Sequence, residues 1–171
     1  SFGKHPDKFE IWWKHSISLW ARYDRVIWTL GHRGPGDRRY WIVDPYDPGN
    51  DKARGQAIAE AMRMQLRLIR EAVGDREIVT CATLWQEGSE LHAADLLEFP
   101  EKTMIVMADN GGKQMMRDDF FFTRRRDNLQ YGVYYHACYG PGGPHWAQST
   151  NPAKMWFNLK QDPLEQHPLK Q

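Results

Sequence analysis

The sequence lacks the features that would assign it to a functional class directly, such as an excess of one charge or a long apolar run. Its 23 basic and 22 acidic residues leave a net charge of +1, so no excess charge favours nucleic acid or an anionic membrane as a partner. No apolar run is long enough to cross a membrane, and residues 1–6 contain no signal-peptide core. The two cysteines, Cys81 and Cys138, fall in predicted strands, where we expect buried free thiols. What these absences leave is a globular piece of protein.

The chain does contain a regular alternation of strand and helix patterns. Runs rich in β-branched and aromatic residues predict four strands, at residues 25–30, 77–85, 103–108 and 131–139. Apolar residues at helical spacing predict helices before the first strand and at residues 52–73 and 90–97. Strands that alternate with helices are typical of a parallel sheet with right-handed crossovers. The predicted fold class is therefore α/β.

Polar residues with useful chemistry lie at the end of each predicted strand. They are Arg33 and Asp37, Glu87, Asp109, and the pair His136 and Tyr139. In a (β/α)8 TIM-type barrel, the active site lies at the C-terminal ends of the strands. The pattern predicts about four βα units, which are half of the eight in such a barrel, and a complete barrel typically takes ~250 residues. We expect residues 1–171 to be a single segment of the catalytic barrel of a larger enzyme whose upstream and downstream parts are absent here.

Two blocks of sequence carry a resemblance to a known family. Residues 28–37, WTLGHRGPGD, resemble the signature loop of glycoside hydrolase family 115. Residues 132–139, GVYYHACY, together with GGP at 142–144, Trp146 and TNP at 150–152, resemble a second block in the expected order. The family comprises α-glucuronidases, which remove glucuronic acid or its 4-O-methyl ether from xylan with inversion at the anomeric carbon. The resemblance extends from about residue 23 to residue 159.

The resemblance implies a set of site residues and a biological setting. It implies site positions at Arg33, Asp37, Glu87 and Asp109, and at the pair His136 and Tyr139. The sequence departs from the family pattern after Asp109, where Asn110 is followed by glycines. It also departs after His136, where alanine and cysteine follow. The implied partner is glucuronoxylan or a xylo-oligosaccharide substrate, with no nucleic acid, no membrane and no cofactor. An extracellular or periplasmic location is suggested, and a homodimer of the full-length protein is left open.

The residues themselves also favour acid–base chemistry on an acidic sugar. Inverting hydrolysis needs two carboxyl groups roughly 6.5–9.5 Å apart, and Glu87 and Asp37 are the pair that we predict. Arg33 would bind the carboxylate of a uronic acid through its planar guanidinium, with help from His32. Asp109, His136 and Tyr139 would contact sugar hydroxyls or orient a carboxyl group.

Other interpretations of the same residues stay open. Asp37 and Asp109 also suit turns, His136 suits a core position, and three tryptophans of the first helix (Trp12, Trp13 and Trp20) are expected to pack that helix. His32, Asp37, Glu87, Asp109 and His136 also form a set of metal ligands, although no His-x-His or His-Glu-x-x-His spacing is present. A metal-dependent barrel hydrolase and a non-catalytic carbohydrate-binding fragment are therefore the alternatives.

Overall fold

A computed structural model describes residues 2–43, 47–110, 115–116 and 126–134 of the chain; for Asp37 and Asp109 the description covers the main chain. The elements, in chain order, are α1 (Pro6–Trp20), β1 (Ile27–Thr29), a 3-10 turn (Pro35–Asp37), α2 (Tyr40–Val43), α3 (Asp51–Val73), β2 (Val79–Leu84), α4 (Glu87–Ala93), β3 (Thr103–Asn110), β4 (Met115–Met116) and β5 (Gln130–Tyr134). Among these residues, no helix has the length and apolar character needed to cross a membrane.

Four of the strands form a parallel sheet. β2 pairs with β1 on one side and with β3 on the other, and β3 pairs with β5, all of them in parallel. Parallel neighbours require a crossover between them, and α3 supplies the one between β1 and β2. The α/β class predicted from the sequence is confirmed, and the architecture is consistent with part of a TIM-type barrel.

The helices cover one face of this sheet. Trp28, Ala82 and Ile105 point to that face and join a core with Met62 and Ile69 of α3. On the opposite face, the register partners Ile27 and Val79 are 63% and 43% exposed. Side chains alternate between the two faces of a strand, and Ile27 and Val79 are as apolar as Trp28 and Ala82, so the asymmetry comes from the face that the helices cover. One face of the sheet is thus packed, and the other exposes apolar side chains at Ile27 and Val79.

Helix α3 provides most of this packing. It begins after Asn50, whose side-chain oxygen accepts a hydrogen bond from the Ala53 N–H, and it ends at Gly74. Ile58, Met62 and Ile69 are buried along one stripe, as their spacing predicts. Gly55 lies against the segment after α4, where a Cβ atom would come within 2.0 Å of the Leu96 carbonyl oxygen. The absence of a side chain at Gly55 therefore allows α3 and that segment to approach closely.

The chain divides into two compact units. The first comprises Ser1–Ala108 and Arg117–Tyr134, and the second comprises Asp109–Met116 and Tyr135–Gln171. Within the second unit, Asp109 and Asn110 pair with the antiparallel strand β4. Strand β3 therefore continues through Asn110, two residues beyond its predicted end, because it finds a partner there. This corrects the expectation that Asp109 follows the strand in a turn.

Candidate functional site

The ends of β1 and β2 bring together an arginine and a glutamate that lie far apart in the sequence. Arg33 follows β1, and Glu87 follows β2. The Arg33 Nε atom donates to Glu87 Oε1 at 3.1 Å, and Nη2 donates to Glu87 Oε2 at 3.4 Å. Because β1 and β2 are parallel neighbours, the segments that follow them emerge at the same edge of the sheet. The structure thus joins two of the predicted site residues in one forked ion pair.

The two members of this pair differ in their access to solvent. The side chain of Glu87 is 1% exposed, whereas that of Arg33 is 27% exposed. A buried carboxylate is stabilised only when its charge is compensated and its oxygens accept hydrogen bonds, and Arg33 does both. Arg33 is therefore the member that a molecule arriving from solvent would meet first.

The local structure around Glu87 differs from the prediction. Glu87 is the first residue of α4, which begins three residues earlier than the predicted start at residue 90. The main chain turns at Gln86, which has a φ of 49°. A carboxylate in the first turn of a helix is favoured by the peptide dipoles and the free N–H groups there. Glu87 thus belongs to a short helix rather than to the end of a strand.

A small cavity adjoins this ion pair. It has a volume of about 30 Å³, and residues that follow β1 and β2 line it, among them Gly31, Arg33, Trp85 and Glu87. This volume accommodates water-sized groups and falls well short of the roughly 300 Å³ at which ligand pockets begin. The cavity that the described residues form at this edge is therefore too small to hold a sugar ring.

His32 occupies a different environment from its neighbour Arg33. Its ring lies 5.0 Å from the ring of Tyr40 and 5.6 Å from that of Phe9, measured between centroids. Phe2 adds a third aromatic ring at 6.2 Å. The main chain of this loop thus directs His32 into an aromatic cluster and Arg33 towards Glu87. The packing of His32 anchors the loop that carries Arg33.

The other predicted site residues are described in part or not at all. Asp37 ends the 3-10 turn of the glycine-rich loop, and the Gly34 N–H donates to the Arg38 carbonyl oxygen at 3.0 Å across it. Asp109 lies within β3. His136 and Tyr139 lie outside the described residues. Of the predicted set, the structure brings together the side chains of Arg33 and Glu87.

A second ion pair joins the same loop to the same helix. Arg39 Nη2 lies 2.6 Å from Glu90 Oε2, and the two side chains are 38% and 46% exposed. Arg39 also lies over the ring of Trp41, with its guanidinium carbon 5.8 Å from the ring centroid. The segment after β1 and helix α4 are therefore linked twice, once in the interior and once at the surface.

His92 is a buried titratable group on the second turn of α4. Its Nε2 atom lies 3.2 Å from the hydroxyl of Tyr131 on β5, and its ring stacks near that of Tyr131. Burial, and after it the positive charge of Arg126, lower the pKa of His92 to about 4, while the negative charge of Asp95 opposes the shift. His92 is therefore neutral at pH 7 and links α4 to the sheet.

Gln65 is a buried polar residue that the sequence analysis missed. It is fully buried on α3, and its amide makes two hydrogen bonds with the main chain of Gly31. The available signal was a polar residue in the apolar stripe of α3, at the helical spacing between Met62 and Ile69. A buried polar side chain in such a stripe is expected to have specific hydrogen-bond partners.

A larger groove lies between α1 and β1. It has a volume of about 660 Å³ and is lined by aromatic side chains, including Trp12, Trp13, Trp20 and Tyr23. Trp12 and Trp20 are 60% and 56% exposed. Contrary to the expectation that both pack the first helix, more than half of each side chain is exposed, and both rings line the groove. Among the described residues, this groove and the cavity beside Glu87 have no lining residue in common.

The metal alternative gains no support from the side chains that the structure describes. Among them, no group of three or more His, Cys, Asp and Glu side chains lies close enough to hold a metal ion. Asp37, Asp109 and His136 of the predicted ligand set lie beyond that description, so the test of this alternative is metal analysis of the protein.

Comparison with known proteins assigns the chain to a family. The family model described as "Glycosyl hydrolase family 115" matches residues 1–166 of the 171 residues. The chain belongs to this family. It is thus a glycoside hydrolase sequence, as the blocks at residues 28–37 and 132–152 indicate. Searches among curated proteins and among solved structures each find no match.

Proposed function

We propose that this chain forms part of the catalytic barrel of an inverting α-glucuronidase, which releases glucuronic or 4-O-methylglucuronic acid from xylan. The observation that carries the proposal is the forked Arg33–Glu87 ion pair at the ends of two parallel strands, in a chain of glycosyl hydrolase family 115. The edge where this pair lies is where parallel α/β enzymes place their sites.

Arg33 suits the recognition of an acidic sugar. Its guanidinium is held at the strand end, is 27% exposed and carries a permanent positive charge. A uronic acid differs from a neutral sugar by one carboxylate, which a guanidinium binds with charge-assisted hydrogen bonds. Arg33 is therefore the group that we assign to the substrate carboxylate, with His32 anchoring the loop behind it.

Two carboxyl groups would perform the acid–base chemistry. In inverting hydrolysis, one donates a proton to the leaving oxygen and the other removes a proton from the attacking water. We assign these roles to Glu87 and Asp37, with Asp109, His136 and Tyr139 as contacts to the sugar. Glu87 accepts two hydrogen bonds from Arg33 and is reached from solvent past that residue. For Glu87 to take part in the reaction, the Arg33 side chain therefore has to move when substrate binds.

The exposed apolar face of the sheet supports the inference that the chain is one segment of a larger barrel. Ile27 and Val79 form part of this face. We expect the isolated chain to be inactive and to self-associate, because an open sheet edge and apolar face favour association. A sharp, reversible melt of a monodisperse monomer would count against the segment interpretation.

The decisive experiment is Glu87→Gln in the full-length enzyme that contains this chain. Glutamine preserves the shape and acceptor oxygen of Glu87 but cannot transfer a proton. General acid–base catalysis contributes ~10²–10⁴-fold, so turnover of glucuronosylated xylo-oligosaccharides should fall by at least about 100-fold. NMR of the unmutated reaction should show the β-anomer of the released acid first. The matched control is Glu90→Gln, three residues along α4.

Two outcomes would contradict the proposal. Retention of more than about a tenth of the activity would make Glu87 a structural carboxylate. Release of a neutral sugar in place of a uronic acid would overturn the substrate assignment.

A non-catalytic carbohydrate-binding role is the second candidate, and the exposed groove with Trp12 and Trp20 favours it. Aromatic rings present large apolar faces, which suit the apolar faces of sugar rings. This alternative predicts that the full-length protein binds glucuronoxylan without releasing uronic acid. It also predicts that Trp20→Ala weakens binding, while Ile11→Ala, at an exposed position on the same helix outside the groove lining, does not.

A further inference from the structure

The main chain directly after β1 is held by a side chain from the helix behind it. Gln65 of α3 donates from Nε2 to the Gly31 carbonyl oxygen at 2.7 Å, and its Oε1 accepts from the Gly31 N–H at 2.9 Å. Gln65 is fully buried, so these bonds form away from competing water. The amide of Gln65 thus pairs with both polar main-chain groups of one residue.

Gly31 is a position where such support matters. Its φ is 142°, in the region that favours glycine, and a Cβ there would meet open space. Glycine has the largest conformational freedom of any residue, so sterics alone do not hold this conformation. The preceding residue is fixed by the sheet, since the Leu30 N–H donates to the Cys81 carbonyl oxygen at 2.8 Å. Gly31 is the first residue beyond this ladder of hydrogen bonds.

The orientation at Gly31 determines where the next two side chains go. His32 enters the aromatic cluster of Phe9 and Tyr40, and Arg33 reaches Glu87. A rotation of the main chain at Gly31 would move the guanidinium away from Glu87, since Arg33 is only two residues further on.

We propose that Gln65 is a positioning residue for the site, because it fixes the main chain of Gly31 and thereby places the guanidinium of Arg33 against Glu87. The effect of Gln65 on catalysis rests on the proposed function, in which Arg33 binds the substrate carboxylate. Gln65 itself lies behind the loop and does not touch substrate. Its effect on Arg33 is measurable without any substrate.

The test replaces Gln65 with methionine, which has a similar volume but forms neither hydrogen bond. The matched control is Gln56→Met, an exposed position on the same helix. In the full-length enzyme that contains this chain, ¹H–¹⁵N NMR measures solvent exchange of the Arg33 Nε–H relative to the amide of Ile105 in the core. Loss of two buried hydrogen bonds should speed Arg33 exchange by about tenfold in Gln65→Met and leave Gln56→Met unchanged. Unchanged Arg33 exchange in folded Gln65→Met overturns the proposal.

A second variant covers the case in which Gln65→Met does not fold. Gln65→Asn keeps a polar amide, but its side chain is one methylene shorter and cannot reach both the Gly31 N–H and the Gly31 carbonyl oxygen. It should also speed exchange of the Arg33 Nε–H relative to Ile105. An Arg33 exchange rate equal to that of the unmutated chain contradicts the proposal.

The catalytic consequence is measured separately in the full-length enzyme. Gln65→Met should lower kcat/KM on glucuronosylated xylo-oligosaccharides by about tenfold or more, while Gln56→Met leaves it unchanged. An unmutated enzyme that releases no uronic acid would refute the proposed function and leave the NMR result to decide the role of Gln65. An active enzyme with unchanged kcat/KM in Gln65→Met would overturn the role of Gln65 alone.

Discussion

Two arginine–glutamate pairs connect the segment after β1 to helix α4, and they differ in burial rather than in kind. The Arg39–Glu90 pair is the shorter, at 2.6 Å, but both side chains are largely exposed. The Arg33–Glu87 pair is longer, at 3.1 Å, yet its carboxylate is 1% exposed. Water screens the first pair and competes for its hydrogen bonds, whereas the second is the main compensation for a buried charge. Burial, and not distance, therefore ranks the two pairs in energy and in functional interest.

Removal of Arg33 should have the largest effect on stability. Arg33→Met leaves the Glu87 carboxylate buried without this partner, which typically costs about 3–5 kcal/mol. Glu87→Gln should cost less, because the Arg33 left behind is partly exposed and can be hydrated. Urea denaturation of the full-length enzyme that contains this chain compares the unfolding midpoints of both variants with that of the unmutated enzyme. Equal losses for the two variants would show that Glu87 is better solvated than its burial indicates.

Acid should weaken α4 through His92. The folded-state pKa of about 4 lies below the ordinary value of 6.5, so below pH 6.5 the unfolded chain binds a proton that the folded chain refuses. The free energy of unfolding is therefore highest, as far as His92 is concerned, above about pH 6.5. It falls as the pH decreases towards 4, by at most about 3 kcal/mol. His92→Gln should remove this part of the pH dependence, and His15→Gln, at an exposed position, should keep it. A His92→Gln profile parallel to that of the unmutated chain would contradict the prediction.

Substitution at the close contact behind α4, between Gly55 and Leu96, tests whether α4 must be firmly docked for the Arg33–Glu87 pair to form. Gly55→Ala would place a Cβ atom 2.0 Å from the Leu96 carbonyl oxygen, a main-chain atom that cannot rotate away. Overpacking of this kind costs about 1–3 kcal/mol and outweighs the higher helix propensity of alanine. Gly88→Ala is the control, since its Cβ meets only the flexible end of Leu84 at 3.3 Å. Thermal melts that rank the control as the less stable variant would be inconsistent with this packing.

The exposed pair should show the smallest effect. Arg39→Ala is expected to change the free energy of unfolding by no more than about 1 kcal/mol, and less in high salt. The same denaturation series, repeated at two salt concentrations, gives the comparison with Arg33→Met. A loss for Arg39→Ala as large as that for Arg33→Met would remove the distinction between the two pairs.

Local sequence patterns predicted which helices and strands form better than they predicted the residues at which these begin and end. Apolar periodicity located α3 and the strands β1, β2 and β3, because burial of one face dictates that periodicity. The end of β3 was predicted two residues early, because Asp109 and Asn110 are residue types that favour turns, although they pair with β4 only a few residues further on. The start of α4 was placed at residue 90 rather than at Glu87, because the turn at Gln86 carries no glycine or proline signal.

The sequence by itself determined the fold class and the family, and it placed Arg33 and Glu87 among several candidate site residues at the strand ends. These properties are written in residue type and spacing, which need no knowledge of distant contacts. Only the tertiary structure decided that Arg33 and Glu87 form one buried pair across 54 positions, and that Gln65 holds Gly31 across 34. Such contacts arise because the parallel sheet and α3 bring remote segments together, and burial then requires each polar group to find a partner.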